Sequence, residues 1–164
     1  MRMDVVAILQ VLALVAVANG TPIVAKKIFG ARFATPLDGG IALPDGRALF
    51  GPSKTIRGVV AAILVTALGA PVVGLAPGIG ALIAGAAMAG DLVSSFCKRR
   101  LDLRSSSRAL GLDQVPESLF PLLACRDLLS LSAAGIALGV GIFFVGELVL
   151  SRILFKIHLR DEPY

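Results

Sequence analysis

Apolar residues come in long runs separated by short polar and charged stretches. The first run, Val5–Ala18, is bounded by Asp4 and Asn19. Semi-apolar Thr21–Ile28 continues it without a small-residue cleavage pattern, which predicts a retained helix rather than a signal peptide. A second run begins at Gly58 and carries little charge as far as Gly90, too long for one span of about 20 residues. Pro71, Gly74, Pro77 and Gly78 break it, because proline lacks the backbone donor and glycine tolerates turns. Beyond the basic stretch Lys98–Arg108, two more runs are parted by a turn at Ser130–Ala134. The pattern predicts an all-α, polytopic integral membrane protein: one transmembrane domain over 1–164 with about five transmembrane helices. The expected spans are 4–20, 58–75, 78–97, 115–130 and 132–157, with loops at 26–57 and 98–113. Arg126, Asp127 and Glu147 interrupt the last two segments, and a four-span arrangement is the simpler alternative.

Composition removes the soluble alternatives. Hydrophobic residues make up 56% of the chain and charged ones 16%, with a mean hydropathy of +0.86, against about 45–50% and about 25% in soluble domains. Once the spans are counted, no soluble domain of normal size fits, so any chemistry falls to loops and helix ends. A net charge of +5 would suggest nucleic-acid binding in a soluble protein. In a membrane protein it marks cytoplasmic loops instead, and no nucleic-acid partner is expected. Lys26, Lys27, Arg32, Arg47, Lys54 and Arg57 lie between the first two spans, and Lys98, Arg99, Arg100, Arg104 and Arg108 follow the third. Both loops should therefore face the cytoplasm, the uncharged Gly74–Gly78 should be an outer turn, and Lys156–Tyr164 should lie inside. Cys97 and Cys125 stand alone in apolar surroundings, and His158 is the only histidine. Zinc, a disulfide framework and a Ser-His-Asp triad are thereby disfavoured.

The third expected span is rich in small residues. Gly80/Ala84, Ala81/Gly85, Gly85/Ala89 and Ala86/Gly90 are four apart, a spacing that lets helix backbones approach closely in a membrane. Gly78-Ile79-Gly80 begins like a dinucleotide fingerprint, but Ile83 stands where the third glycine is required.

Three polar groups need a reason to be where they are. Asp91, Ser94, Ser95 and Lys98 fall along one face at about 100° per residue, so a carboxylate, two hydroxyls and an ammonium share one strip. An ionisable group near a membrane span is a functional candidate, although a helix-end salt bridge would also account for Asp91. The second group is Asp113-Gln114 with Glu117 a turn later: Asp113 could merely cap the fourth helix, and Glu117 is a secondary candidate by proximity. Asp91 and Asp113 could together hold a hard divalent cation, because Mg²⁺ is usually bound by one or two carboxylates and substrate phosphates. The stretch Phe50–Gly58 sets Lys54, Thr55 and Arg57 at a helix N-terminus, where they offer donors to anions or merely anchor the inner face. Asp38 and Asp45 read as turn formers, Arg47 as a solvated charge, and Lys98-Arg99-Arg100 as headgroup or polyphosphate contacts.

In this order, the residues resemble the CDP-archaeol synthase family, small membrane cytidylyltransferases related to phosphatidate cytidylyltransferases. The resemblance rests on FGPSKTIRG (50–58), GDLVSSFCKRR (90–100) and Asp113-Gln114. Asn19 with Thr21-Pro22, PLDGG (36–40) and DGRALFG (45–51) support it. It implies transfer of a cytidylyl group from CTP to an ether- or ester-linked lipid phosphate, with Mg²⁺ as cofactor. It further implies Asp91 and Asp113 on the metal and Lys54, Arg57, Lys98 and Arg99 on phosphates. Asp91, Asp113 and Lys98 would then carry the chemistry, while Asn19, Thr55, Ser94, Ser95 and Gln114 complete the substrate site.

The rival class is a small transporter or membrane scaffold, in which Asp91, Arg126, Asp127 and Glu147 line a pathway or pair between helices. Against it, the chain shows no internal repeat, and its polar clusters gather at one expected membrane face.

Overall fold

The computed structural model describes residues 2–103 and 109–156. Arg104, Arg108, His158 and the tail 157–164, which the charge argument sets inside, lie outside the described residues. The described chain forms α1 (Arg2–Phe29), α2 (Ile56–Gly69), α3 (Pro77–Arg100), α4 (Gln114–Ala124) and α5 (Ala133–Lys156). Among the described residues the only extended pairing is two isolated antiparallel bridges, Pro36 with Thr55 and Ala42 with Ala48.

Local chemistry explains where the helices begin and end. α1 runs past the expected end at residue 20, because Pro22 forfeits one donor while Thr21 Oγ1 donates back to the Val17 carbonyl at 2.7 Å. Lys26 and Lys27 in its last turn complement the helix dipole, so the loop expected from 26 begins at 30. α2 starts at Thr55, whose Oγ1 accepts the Gly58 N–H at 3.1 Å. It closes in a 3₁₀ turn, Ala70–Val73, ended by Gly74 in the left-handed conformation at φ 82°. Pro77 then opens α3, so the long apolar run breaks at the proline and glycine cluster.

The expected fourth segment, 115–130, differs most. Helix forms only over the 11 residues of α4, about 16 Å at about 1.5 Å per residue and short of a hydrocarbon core of about 30 Å. Pro121 withholds a donor inside it, and Arg126 and Asp127 stand exposed in the turn that leads to Leu131. Val5–Phe29, Ile56–Val73 and Pro77–Arg100 are long and apolar enough to cross a membrane, and Ala133–Val149 is a shorter apolar stretch within α5.

α3 packs against α4, α2 and α1, and α1 touches every other helix. The shared core holds Ile8, Val11, Leu14 and Val15 of α1, Ile83, Ala84 and Ala87 of α3, Leu122 of α4 and Phe143 of α5. Leu68 and Val72 point outward at 78% and 88% exposure, as suits a surface facing lipid. The small residues of α3 serve packing at two places. A Cβ on Gly80 would sit 2.7 Å from the Thr66 carbonyl of α2, and one on Gly90 would sit 2.3 Å from the Pro116 carbonyl of α4. Gly85, by contrast, faces open space.

Candidate active site

Polar side chains from four helices and one loop meet where α3 ends and α4 begins. α3 supplies the strip read from its periodicity, and three of its four members, Asp91, Ser94 and Lys98, meet a neighbour from another element. Asp91 Oδ2 accepts from Lys54 Nζ at 2.5 Å, with both side chains about one-fifth exposed. One turn on, Ser94 Oγ donates to Asp113 Oδ1 at 2.5 Å, and Lys98 Nζ donates to the same oxygen at 2.7 Å. Ser95 is buried beside them.

Asp113 precedes α4 but does not cap it, because its backbone is helical and its side chain makes no cap bond. The carboxylate instead turns toward α3, and its second oxygen accepts the Ala109 N–H at 3.0 Å. Burial pushes its pKa up, yet the Lys98 ammonium, the Ser94 hydroxyl and the Ala109 amide more than reverse that and hold it below the ordinary value. Gln114 is fully buried: its Oε1 accepts the Gly111 N–H at 2.8 Å, and its Nε2 has no hydrogen-bond partner.

Glu117, one turn into α4, is the hub. Asn19 Nδ2 of α1 donates to its Oε2 at 2.6 Å, while Asn19 Oδ1 is buried without a partner. The Asp91 carboxyl lies within hydrogen-bond reach of Glu117, and Glu147 of α5 and Lys54 are close enough to act on its charge. Sequence reasoning gave Glu147 to the rival class and held Glu117 only as a secondary candidate, by its proximity to Asp113. The signal that could have found Glu147 is that it is the sole acid in the apolar sequence of α5.

Other expected donors are engaged elsewhere. The Thr55 hydroxyl oxygen caps α2. Arg57 Nη1 donates to the Gly30 and Arg32 carbonyls at 3.1 and 2.5 Å, satisfying the chain just past α1 rather than an anion. Its guanidinium also lies 6.0 Å from the centre of the Phe29 ring. Arg99 is half-buried, and its Nε has no hydrogen-bond partner. Arg100 donates to Asp45 at 2.6 Å and to the Ala48 carbonyl at 2.7 Å, pinning the loop to the end of α3. Arg47, read as a solvated charge, donates to the Arg100 carbonyl at 2.5 Å. The Arg47 backbone N–H and the Arg100 guanidinium hold the Asp45 carboxyl below its usual range.

Two ammonium–carboxylate pairs sit about two helical turns apart on α3, beside the further carboxyl of Glu117. Arg126 and Asp127, which the rival reading needs at the same centre, are exposed in the turn after α4.

Known proteins resemble this chain in sequence and in fold. The family described as CDP-archaeol synthase matches residues 78–164, from the start of α3 to the end of the chain. The CDP-archaeol synthase of Thermococcus onnurineus is 38% identical over 109 residues, covering 60% of this chain and 61% of that protein. That of Aeropyrum pernix is 41% identical over 105 residues, covering 60% and 57%. With these two the alignment thus spans about three-fifths of the relatives' length, whereas the enzyme of Pyrobaculum calidifontis aligns over 90% of this chain and 91% of its own at 31% identity. A solved structure, described as an intramembrane enzyme for archaeal membrane lipids biosynthesis, superposes with a TM-score of 0.72 at 30% identity, covering 86% of this chain and 90% of that one. Matched in sequence through α3, α4 and α5 and in fold over most of its length, the chain belongs to the CDP-archaeol synthase family.

Proposed function

We propose that this chain transfers the cytidylyl group of CTP to a lipid phosphate, yielding a CDP-activated lipid and pyrophosphate. The observation that carries the reading is the pair of ammonium–carboxylate contacts, Lys54–Asp91 and Lys98–Asp113, held about two turns apart along α3. The names of its relatives support the same reaction. A lipid phosphate oxygen attacks the α-phosphorus of CTP, a new P–O bond forms, and the bond to the bridging oxygen breaks to release pyrophosphate. Such a transfer needs alignment and charge neutralisation rather than a covalent nucleophile.

The residues divide that work. Lys54 and Lys98 neutralise phosphate oxygens once substrate draws them from their carboxylates. Asp113 holds both Ser94 and Lys98, and Asn19 orients Glu117. Among the described residues no group of three or more His, Cys, Asp or Glu side chains forms a cage for a metal ion. That donor chemistry fits Mg²⁺, which takes one or two carboxylates and completes its shell with phosphate and water. Asp91 and Asp113 are the carboxylates that would hold it, with Glu117 beside Asp91. When bound, Mg²⁺ supplies positive charge to the phosphate oxygens. The basic loops around the centre support a site facing the cytoplasm.

The test is pyrophosphate release by purified protein in detergent with CTP, Mg²⁺ and a panel of ether- and ester-linked lipid phosphates. Lipid-dependent release that chelator abolishes and Asp91→Asn lowers by about 10²-fold or more is expected. Folded protein that releases none with any lipid overturns the reading.

A further inference from the structure

The connection 30–55 has to deliver the Lys54 ammonium to Asp91. Arg57 and Arg100 fasten its start and middle, and two isolated bridges pair it with itself. The turn that carries Lys54 is gripped by a different side chain. Asp38 is buried at 6% exposure and spends both oxygens on backbone donors. Oδ1 accepts the Gly40 N–H at 3.0 Å, while Oδ2 accepts the N–H groups of Phe50 and Gly51 at 2.9 and 3.0 Å, the latter 13 residues along the chain. Gly51 stands at φ 96°, a conformation that side-chain-bearing residues rarely adopt, so the turn into Lys54 begins where Asp38 grips it.

Lys54 is then held from both sides. Its N–H donates to the Gly51 carbonyl at 3.2 Å, and its carbonyl accepts the N–H of Leu37, the neighbour of Asp38, at 2.7 Å. Ile56 N–H to the Thr35 carbonyl at 3.1 Å closes the next step and hands the chain to α2. One short segment, Thr35 to Asp38, therefore clamps the backbone before and after the lysine.

We infer that Asp38 is a positioning residue: by fixing the Gly51–Lys54 turn, its carboxylate aims the Lys54 ammonium at Asp91. The significance of that aim rests on the proposed function, but the geometry does not. Burial pushes the Asp38 carboxyl up, and the N–H groups of Phe50, Gly51 and Gly40 more than reverse it, so the clamp stays charged at neutral pH.

The first experiment reads Lys54 without relying on turnover. Detergent-solubilised protein is labelled briefly with a limiting amine acylating reagent, and the lysines are quantified by peptide mass spectrometry, with exposed Lys26 and Lys27 as internal references. Asp38→Asn keeps the size but replaces one acceptor oxygen by a donor, so Lys54 labelling should rise about fivefold relative to the references. Asp91→Asn should produce the same rise. Asp38→Glu keeps the charge but displaces the oxygens by a methylene, so it should give a smaller rise and serves if Asp38→Asn does not fold. Unchanged Lys54 labelling in a folded Asp38 variant overturns the inference.

A double-mutant cycle on pyrophosphate release gives the second reading. If Asp38 acts through Lys54, Asp38→Asn adds little to the loss already caused by Lys54→Met. Losses that multiply instead assign Asp38 a role independent of Lys54 and overturn the inference. Should wild-type protein release no pyrophosphate, the proposed function fails while the labelling result still decides the role of Asp38.

Discussion

Replacing Asp113 by asparagine tests whether the Lys98 pair is a structural debt as well as a chemical resource. The Lys98 side chain is 8% exposed and that of Asp113 13%, so the pair is largely out of water. Removing one partner of a buried pair costs about 3–5 kcal/mol, chiefly because the other charge loses its counter-ion. Asparagine retains one acceptor oxygen, which can serve Ser94 and Lys98 or the Ala109 N–H but not both, so the expected loss is about 2–4 kcal/mol. Lys98→Met in the same background removes the charge that Asp113 no longer neutralises and should recover most of it, leaving the double variant within about 1 kcal/mol of wild type. Unfolding in mixed micelles titrated with sodium dodecyl sulfate, followed by far-ultraviolet circular dichroism, measures all three. The folded-state pKa of Asp113 is depressed, so its contribution is present above the unfolded carboxylate value and is lost as pH falls through the folded one. The gap between wild type and Asp113→Asn should therefore stay constant between about pH 6 and 8 and shrink below about pH 4. A single variant as stable as wild type, or a double variant no better than the single, would refute the argument.

Gly90→Ala should destabilise by about 1–3 kcal/mol because its Cβ has only the Pro116–Glu117 backbone to meet, whereas Gly85→Ala, in open space within a helix, should be neutral or stabilise by up to about 1 kcal/mol. Equal melting temperatures for the two would contradict the packing. Arg100→Met should release the loop from the end of α3 and speed tryptic cleavage after Arg47 severalfold, with the helical content unchanged. Arg126→Gln and Asp127→Asn, exposed beyond α4, should leave pyrophosphate release within about twofold of wild type, and a large loss would revive the transport reading. Chelation of divalent cations should weaken CTP binding by about tenfold or more in calorimetry, since bare triphosphate meets Asp91, Glu117 and Asp113 as well as the lysines.

What could be read in advance followed helical periodicity. Asp91, Ser94, Ser95 and Lys98 line one strip because rotation per residue is a local property, and the break at Pro71–Pro77 is equally local. Partners brought by other elements had no such signature: Asn19 and Glu117 are 98 residues apart, and no spacing along the chain foretells their bond. The contacts of Arg57 had no such signature either: its guanidinium meets the Gly30 and Arg32 carbonyls, 27 and 25 residues away, which no local spacing foretells. The fourth helix looked long enough on hydropathy, yet Pro121 and the following Arg126-Asp127 end it at Ala124.

The pairing of charges also explains how so polar a centre persists at the end of an apolar bundle. An isolated ammonium or carboxylate there would carry a desolvation penalty of several kcal/mol, which partners relieve. Each lysine of the centre has an acid beside it: Lys54 of the loop with Asp91 of α3, and Lys98 of α3 with Asp113. The pairs come from different elements, so the same contacts that neutralise the charges tie the loop and α4 to α3. Under the proposed function, a phosphate that drew a lysine away would uncover the carboxylate of Asp91 or Asp113, and those same two carboxylates would hold a divalent cation. The neutrality of the pairs at rest and their suitability for an anion together with a cation are then two consequences of one arrangement.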